Sequence, residues 1–175
     1  MRGARTAWVF SLLILGLSPV PVIAQVPEKP AAPASAIVLT VGGDVPQPLK
    51  LTAAEFARLP RQSTRAKDHE GKESEFEGVP LVDVLKAAGV KFGDDLRGPA
   101  LATYLVVEAS DGYRAVFALP ELDPASTDRM TLLADRRDGQ PMSAKEGPLR
   151  VIVPGEKRHS RWVRQVIALK IGQAR

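Results

Sequence analysis

Hydrophobic and polar positions divide the chain into short elements of differing period. Ile37 to Val41 is a β-branched run that stops at Gly42-Gly43-Asp44, which predicts a strand followed by a turn. The glycine pair lacks G-x-G-x-x-G spacing and reads as a plain turn, not a phosphate loop. Thr52 and Glu55 form a capping-box pair at the start of a short helix, with Leu51 placed to staple onto Phe56, and Pro60 ends it after about two turns. Residues 61–78 are strongly polar and predict an exposed hairpin or irregular ribbon turning at Glu70-Gly71. Leu81, Val84, Leu85 and Ala88 then fall at i, i+3, i+4 and i+7, with Pro80 at the first helical position and Gly89 just past the end.

The second half is strand-rich. Ala102 to Ser110 and Tyr113 to Ala118 flank Asp111-Gly112, the strongest short-range hairpin signal a sequence carries. Leu119 to Leu122 reads as a short helical turn and Met130 to Ala134 as a strand. Pro148 to Pro154 and Trp162 to Ile171 read as further strands. Between the last two lies Lys157-Arg158-His159-Ser160-Arg161, a connection dense in basic and imidazole groups. The fold class expected is α+β: one mixed sheet of about six to eight strands with two short helices.

The N-terminus has a different character. Arg2 and Arg5 precede an apolar run from Ala7 to Leu17, broken by Ser18, Pro19 and Pro21, and Val22-Ile23-Ala24 offers a cleavage site. Residues 1–24 are expected to be a signal peptide, and the mature protein to be periplasmic or secreted. The apolar run is about 11 residues, against roughly 20 for a membrane span, so no span is expected after cleavage. The two arginines are not adjacent, which points to passage of an unfolded chain and not to the twin-arginine route. Residues 25–36, rich in Pro and Ala, read as an extended linker, and residues 37–175 as one domain.

Composition narrows the chemistry. The 175 residues include no cysteine, which removes disulfides, iron–sulfur clusters and thiolate ligands. His69 and His159 are the two histidines, and no carboxylate cluster has metal-ligand spacing. Without Arg2 and Arg5 the chain holds 22 basic and 20 acidic residues, too balanced for a nucleic-acid footprint. No serine sits in a G-x-S-x-G elbow, and no pair of acids stands out as general acid and base.

The order of motifs carries more information than any one of them. Glu77-Gly78-Val79-Pro80-Leu81 with Val84-Leu85 and Ala88-Gly89 is followed by Ala109-Ser110-Asp111-Gly112-Tyr113 and Gly139-Gln140-Pro141-Met142. Gly147-Pro148-Leu149-Arg150, Val153-Pro154-Gly155 and Arg161-Trp162-Val163-Arg164 complete the series. In this order they resemble the oxidoreductase molybdopterin-binding domain of the sulfite oxidase family over about residues 38–172. The resemblance implies that fold, oxygen-atom transfer at molybdenum, and a metal held by the pterin dithiolene and one cysteine. That cysteine would come from the stretch between the two helices, here Arg61 to Glu77, which has none. The resemblance also implies basic groups near a cofactor phosphate, where the 157–161 loop lies.

Three readings follow. In the first, the protein carries no cofactor and uses the former cofactor cleft to bind a small anionic ligand or an envelope protein. Its candidate residues are Asp111, Tyr113, Arg150, Arg158, His159 and Arg161. In the second it is a molybdopterin oxidoreductase in which His69 or Asp68 replaces the thiolate, and electrons leave through a redox partner protein, since no haem or flavin motif is present. In the third it is an envelope assembly module without a small ligand, with Trp162 and Tyr113 as packing or interface residues.

Overall fold

A computed structural model describes residues 35–174. The expected signal peptide, and the linker up to residue 34, lie outside the described residues. Ten strands form: β1 (Ile37–Gly43), β2 (Leu49–Thr52), β3 (Gln62–Lys67), β4 (Glu73–Pro80), β5 (Thr103–Ala109), β6 (Arg114–Ala118), β7 (Leu132–Arg137), β8 (Gln140–Pro141), β9 (Arg150–Ile152) and β10 (Val166–Gln173). The two α-helices are α1 (Ala53–Ala57) and α2 (Leu81–Ala87). Among the described residues no helix is long and apolar enough to cross a membrane.

The strands build two five-stranded sheets where the sequence pattern led us to expect one. The first runs β2-β1-β10-β5-β6, with β1 and β10 parallel and the other neighbours antiparallel. In the second, β3, β4 and β7 are neighbours, and β8 and β9 both pair with β7. The polar ribbon forms the β3–β4 edge of the second sheet. Its second strand, β4, alternates exposed Glu73 and Glu75 and half-buried Glu77 with buried Ser74, Phe76 and Gly78, and it docks antiparallel on β7 through Val79↔Leu133 and Pro80↔Leu132. Leu39, Val41, Leu105, Val107 and Leu169 from the first sheet share one core with Phe76, Val79, Leu133 and Val151 from the second.

Local signals decide the helices. Thr52 Oγ1 accepts the Glu55 amide at 3.2 Å while Glu55 Oε2 accepts the Thr52 amide at 2.8 Å, so both halves of the capping box form. Leu81, Val84, Leu85 and Ala88 are buried against the core. Gly89 follows with φ +82°, and a Cβ there would lie 3.0 Å from Pro46, so glycine is required both for the left-handed turn and for the close approach. Pro80 differs from expectation. It closes β4, in register with Leu132, and serves as the residue before the helix. The Asp111-Gly112 hairpin forms as expected, with the Tyr113 amide donating to Asp111 Oδ1 at 2.9 Å and Gly112 at φ +85°. The last two strands are shorter than the apolar runs suggest: Leu149 and Val153 are buried but flank β9, and β10 begins only at Val166.

Candidate functional site

Three segments converge at one end of the two sheets. The β5–β6 hairpin supplies Asp111 and Tyr113, and the start of β9 supplies Arg150. The connection from residue 155 to 165 supplies His159, Ser160, Trp162, Val163 and Arg164. Together with Ala109 and with His69 from the β3–β4 turn they line a cleft of about 220 Å³. A neighbouring cleft of about 340 Å³ is lined by Asp68, His69, Glu70, Lys72, Arg137, Ser143, Lys145, Glu146 and Arg164.

The walls are held by specific bonds. Tyr113 Oη donates to the Ser160 carbonyl at 2.6 Å, pinning the hairpin to the basic connection. His159 Nε2 lies 2.9 Å from the Lys67 carbonyl; a carbonyl only accepts, so Nε2 carries the proton. Trp162 Nε1 donates to the Val153 carbonyl at 3.0 Å, and its ring meets His159 and Phe76 edge-on, at 4.4 and 5.7 Å between centroids. Gln165, in the left-handed region at φ 49°, accepts the Ser110 amide and donates through Nε2 to the Ala144 carbonyl. That bend interrupts the apolar run, brings Arg164 to the cleft and postpones β10.

Arg150 is the unusual member. Its side chain is only 2% exposed, its guanidinium lies 5.3 Å over the Trp162 ring, and Nη1 donates to Glu146. Nε is buried and has no hydrogen-bond partner. Burial pushes its pKa down, Glu146 opposes that, and the like charges of Arg164 and Arg137 add to the fall. The group stays charged at neutral pH, so a positive charge with a spare donor sits in the cleft wall.

Two expected residues are placed elsewhere. Arg158 is exposed, immediately before the turn His159–Arg161, and lines neither cleft. Arg161 turns away from the site. It donates to Glu121 at 2.8 Å and to Glu156 at 2.7 Å, and its guanidinium stacks 4.6 Å over Phe117. Burial works against its charge, but the hydrogen bonds to Glu121 and Glu156 outweigh burial and raise its pKa. Sequence reasoning attached no binding role to Arg164; its signals were its place at the end of the Arg161-Trp162-Val163-Arg164 motif and a charge between Val163 and Val166 in a run otherwise read as a buried strand.

Asp68, a candidate metal ligand, has other duties. Oδ1 accepts the Glu70 and Lys72 amides, each at 3.0 Å, and Oδ2 accepts from Arg137. Its carboxylate therefore closes the β3–β4 turn, with both oxygens engaged. Desolvation acts to raise its pKa, yet the Arg137 hydrogen bond, the two amides and the Arg137 charge hold it below its ordinary 3.8. A depressed carboxyl contributes stability that is complete above about pH 3.8 and is lost as the pH falls through the lower folded value. Acid unfolding followed by circular dichroism should show that loss, and Asp68→Asn should flatten the curve in that window. An unchanged curve would mean that the carboxylate contributes nothing there. His69 is exposed, 3.6 Å from Glu70, and lines both clefts.

Residues 24–173 match the model of the oxidoreductase molybdopterin binding domain. The chain belongs to this family. No curated protein sequence matches it significantly. Among solved structures the fold is similar to that of the sulfane dehydrogenase SoxCD from Paracoccus pantotrophus, with 25% identity and a TM-score of 0.60 over 76% of this chain. The match spans 37% of that solved chain. The sulfite-oxidase-type fold expected from the order of motifs is thereby shown.

The family's name directs attention to molybdopterin, and the donors in this member do not suit its metal. The chain has no thiolate, and Asp68 is committed to Arg137 and two amides. Among the described residues no three His, Cys, Asp or Glu side chains are grouped to hold a metal ion. What the cleft offers instead is cationic: Arg150 and Arg164, with two imidazoles beside them.

Proposed function

We propose that this member of the molybdopterin-binding domain family works in the cell envelope as a cofactor-free module that binds a small oxyanion in the former cofactor cleft. The observation that carries the reading is the buried Arg150 guanidinium, whose Nε has no acceptor and whose carboxylate partner, Glu146, also faces Arg137 at 3.8 Å. A buried donor without a partner costs about 1–3 kcal/mol, and more when charged; an anion for which the cleft wall shifts enough to reach Nε would remove that cost. Arg164 stands at the same cleft, exposed and without an ion pair among the described residues. Such an anion would accept charge-assisted hydrogen bonds from both arginines, with Tyr113 and Trp162 limiting access of water.

Inorganic phosphate at constant ionic strength is expected to raise the unfolding temperature of the full chain. At a hundredfold excess over Kd the stabilisation is about 2.7 kcal/mol, a rise of several degrees for a domain of this size. Arg164→Ala and Arg150→Lys should lose most of that rise while remaining folded. No rise in the wild type, or an equal rise in both variants, would overturn the reading. Family membership alone favours the oxidoreductase alternative, with electrons passing to a partner protein. Stoichiometric molybdenum in chain purified from a host that makes the cofactor would establish that alternative.

A further inference from the structure

The two clefts adjoin, with His69 and Arg164 in the walls of both. Of the four carboxylates lining them, Asp68 and Glu146 are paired with arginines, while Glu70 and Asp111 have no cationic partner of fixed charge among the described residues. Asp68 is held by Arg137 and two amides, Glu146 by Arg150, Arg137 and Ser143, Glu70 lies against His69, and Asp111 accepts the Tyr113 amide. The cations are not all so engaged: Lys72, Lys145 and Arg164 form no ion pair among the described residues. Arg150 lines the first cleft, Arg164 both, and Lys72 and Lys145 the second, so the adjoining clefts together offer cations to a ligand longer than one oxyanion.

We infer that the adjoining clefts take one elongated anion carrying several phosphate-type groups, its terminal group at Arg150 and the rest running past Arg164 to Lys72 and Lys145. This rests on the anion-binding reading above and names the class of ligand. Lysine suits the outer part, since an ammonium on a flexible stem meets phosphate as a point charge without a fixed angle, while the planar guanidinium of Arg150 fixes the terminal group. Unpaired cations along a cleft also focus the field on an approaching polyanion.

Calorimetric titration of the full chain with orthophosphate and with tripolyphosphate tests the inference. Tripolyphosphate is expected to bind about tenfold or more tightly, a difference of about 1.4 kcal/mol. The double variant Lys72→Ala/Lys145→Ala should lose that gain and keep its orthophosphate affinity. Lys50→Ala/Lys86→Ala, at positions lining neither cleft, should keep both. Equal affinity for the two phosphates, a gain that survives removal of Lys72 and Lys145, or a gain lost equally in the control pair would overturn the extended site while leaving the Arg150 site standing. Binding of neither phosphate would overturn the site itself.

Discussion

Arg150→Ala is expected to destabilise the protein by about 3–5 kcal/mol, the usual penalty when one member of a buried ion pair is removed. Glu146 would be left facing Arg137 alone, and the Trp162 ring would lose the cation packed over it. Urea unfolding measures this directly, as a lower midpoint with an unchanged slope. Arg150→Lys keeps a charge for Glu146 but has neither the planar fork nor Nε, so it should remain folded and lose phosphate binding. A loss below about 1 kcal/mol for the alanine variant would place the pair in the range of an exposed ion pair and remove the physical basis for a poised buried charge.

Arg161→Ala should show the opposite division of effects. Arg161 bridges Glu121, on the turn after β6, to Glu156, whose Oε2 is already buried without a partner. Removing it deprives two carboxylates of their counter-charge and uncovers Phe117, at a cost of about 2–4 kcal/mol. For a domain of this size that lowers the unfolding temperature by several degrees or more. Phosphate affinity at a temperature where the variant is folded should match that of the wild type. Loss of affinity with stability unchanged would instead return Arg161 to the site, in the role its place in the basic run suggested.

These arginines mark where the sequence can be read and where it cannot. The capping box at Thr52 and Glu55, the α2 stripe and the Asp111-Gly112 turn were legible because each is fixed by residues within a few positions. Which strand pairs with which was not, because β4 finds β7 across more than fifty residues and nothing local records that choice. The site follows the same rule. Asp111, Tyr113, Arg150, His159 and His69 do line one cleft, since hairpin tip, strand end and basic connection meet where the two sheets meet. The run from Lys157 to Arg161 reads as one basic patch, but the short turn His159–Arg161 points consecutive side chains in different directions, and Glu121 and Glu156 capture the last of them. Arg164 stayed hidden because only the left-handed Gln165 takes it out of the expected strand. Asp68 carries duties the sequence did not record: the turn that brings it to the second cleft also engages both its oxygens.

The family likeness sets the frame, and the departures from it motivate the proposed function. A fold does not carry an activity with it. Here the position that would supply a thiolate lies in a stretch where Asp68 instead binds Arg137, and one of the basic groups of the 157–161 loop is tied up by glutamates. What lines the clefts is a buried guanidinium, with Arg164, Lys72 and Lys145 forming no ion pair among the described residues.

The most direct test is a calorimetric titration of inorganic phosphate into the wild-type chain and into Arg150→Lys, with the fold of both checked by circular dichroism. Saturable binding at one site in the wild type, lost in the folded variant, is the result expected. Absence of binding in the wild type, or equal binding in both, would contradict the claim that the cleft is built around the spare donor of Arg150.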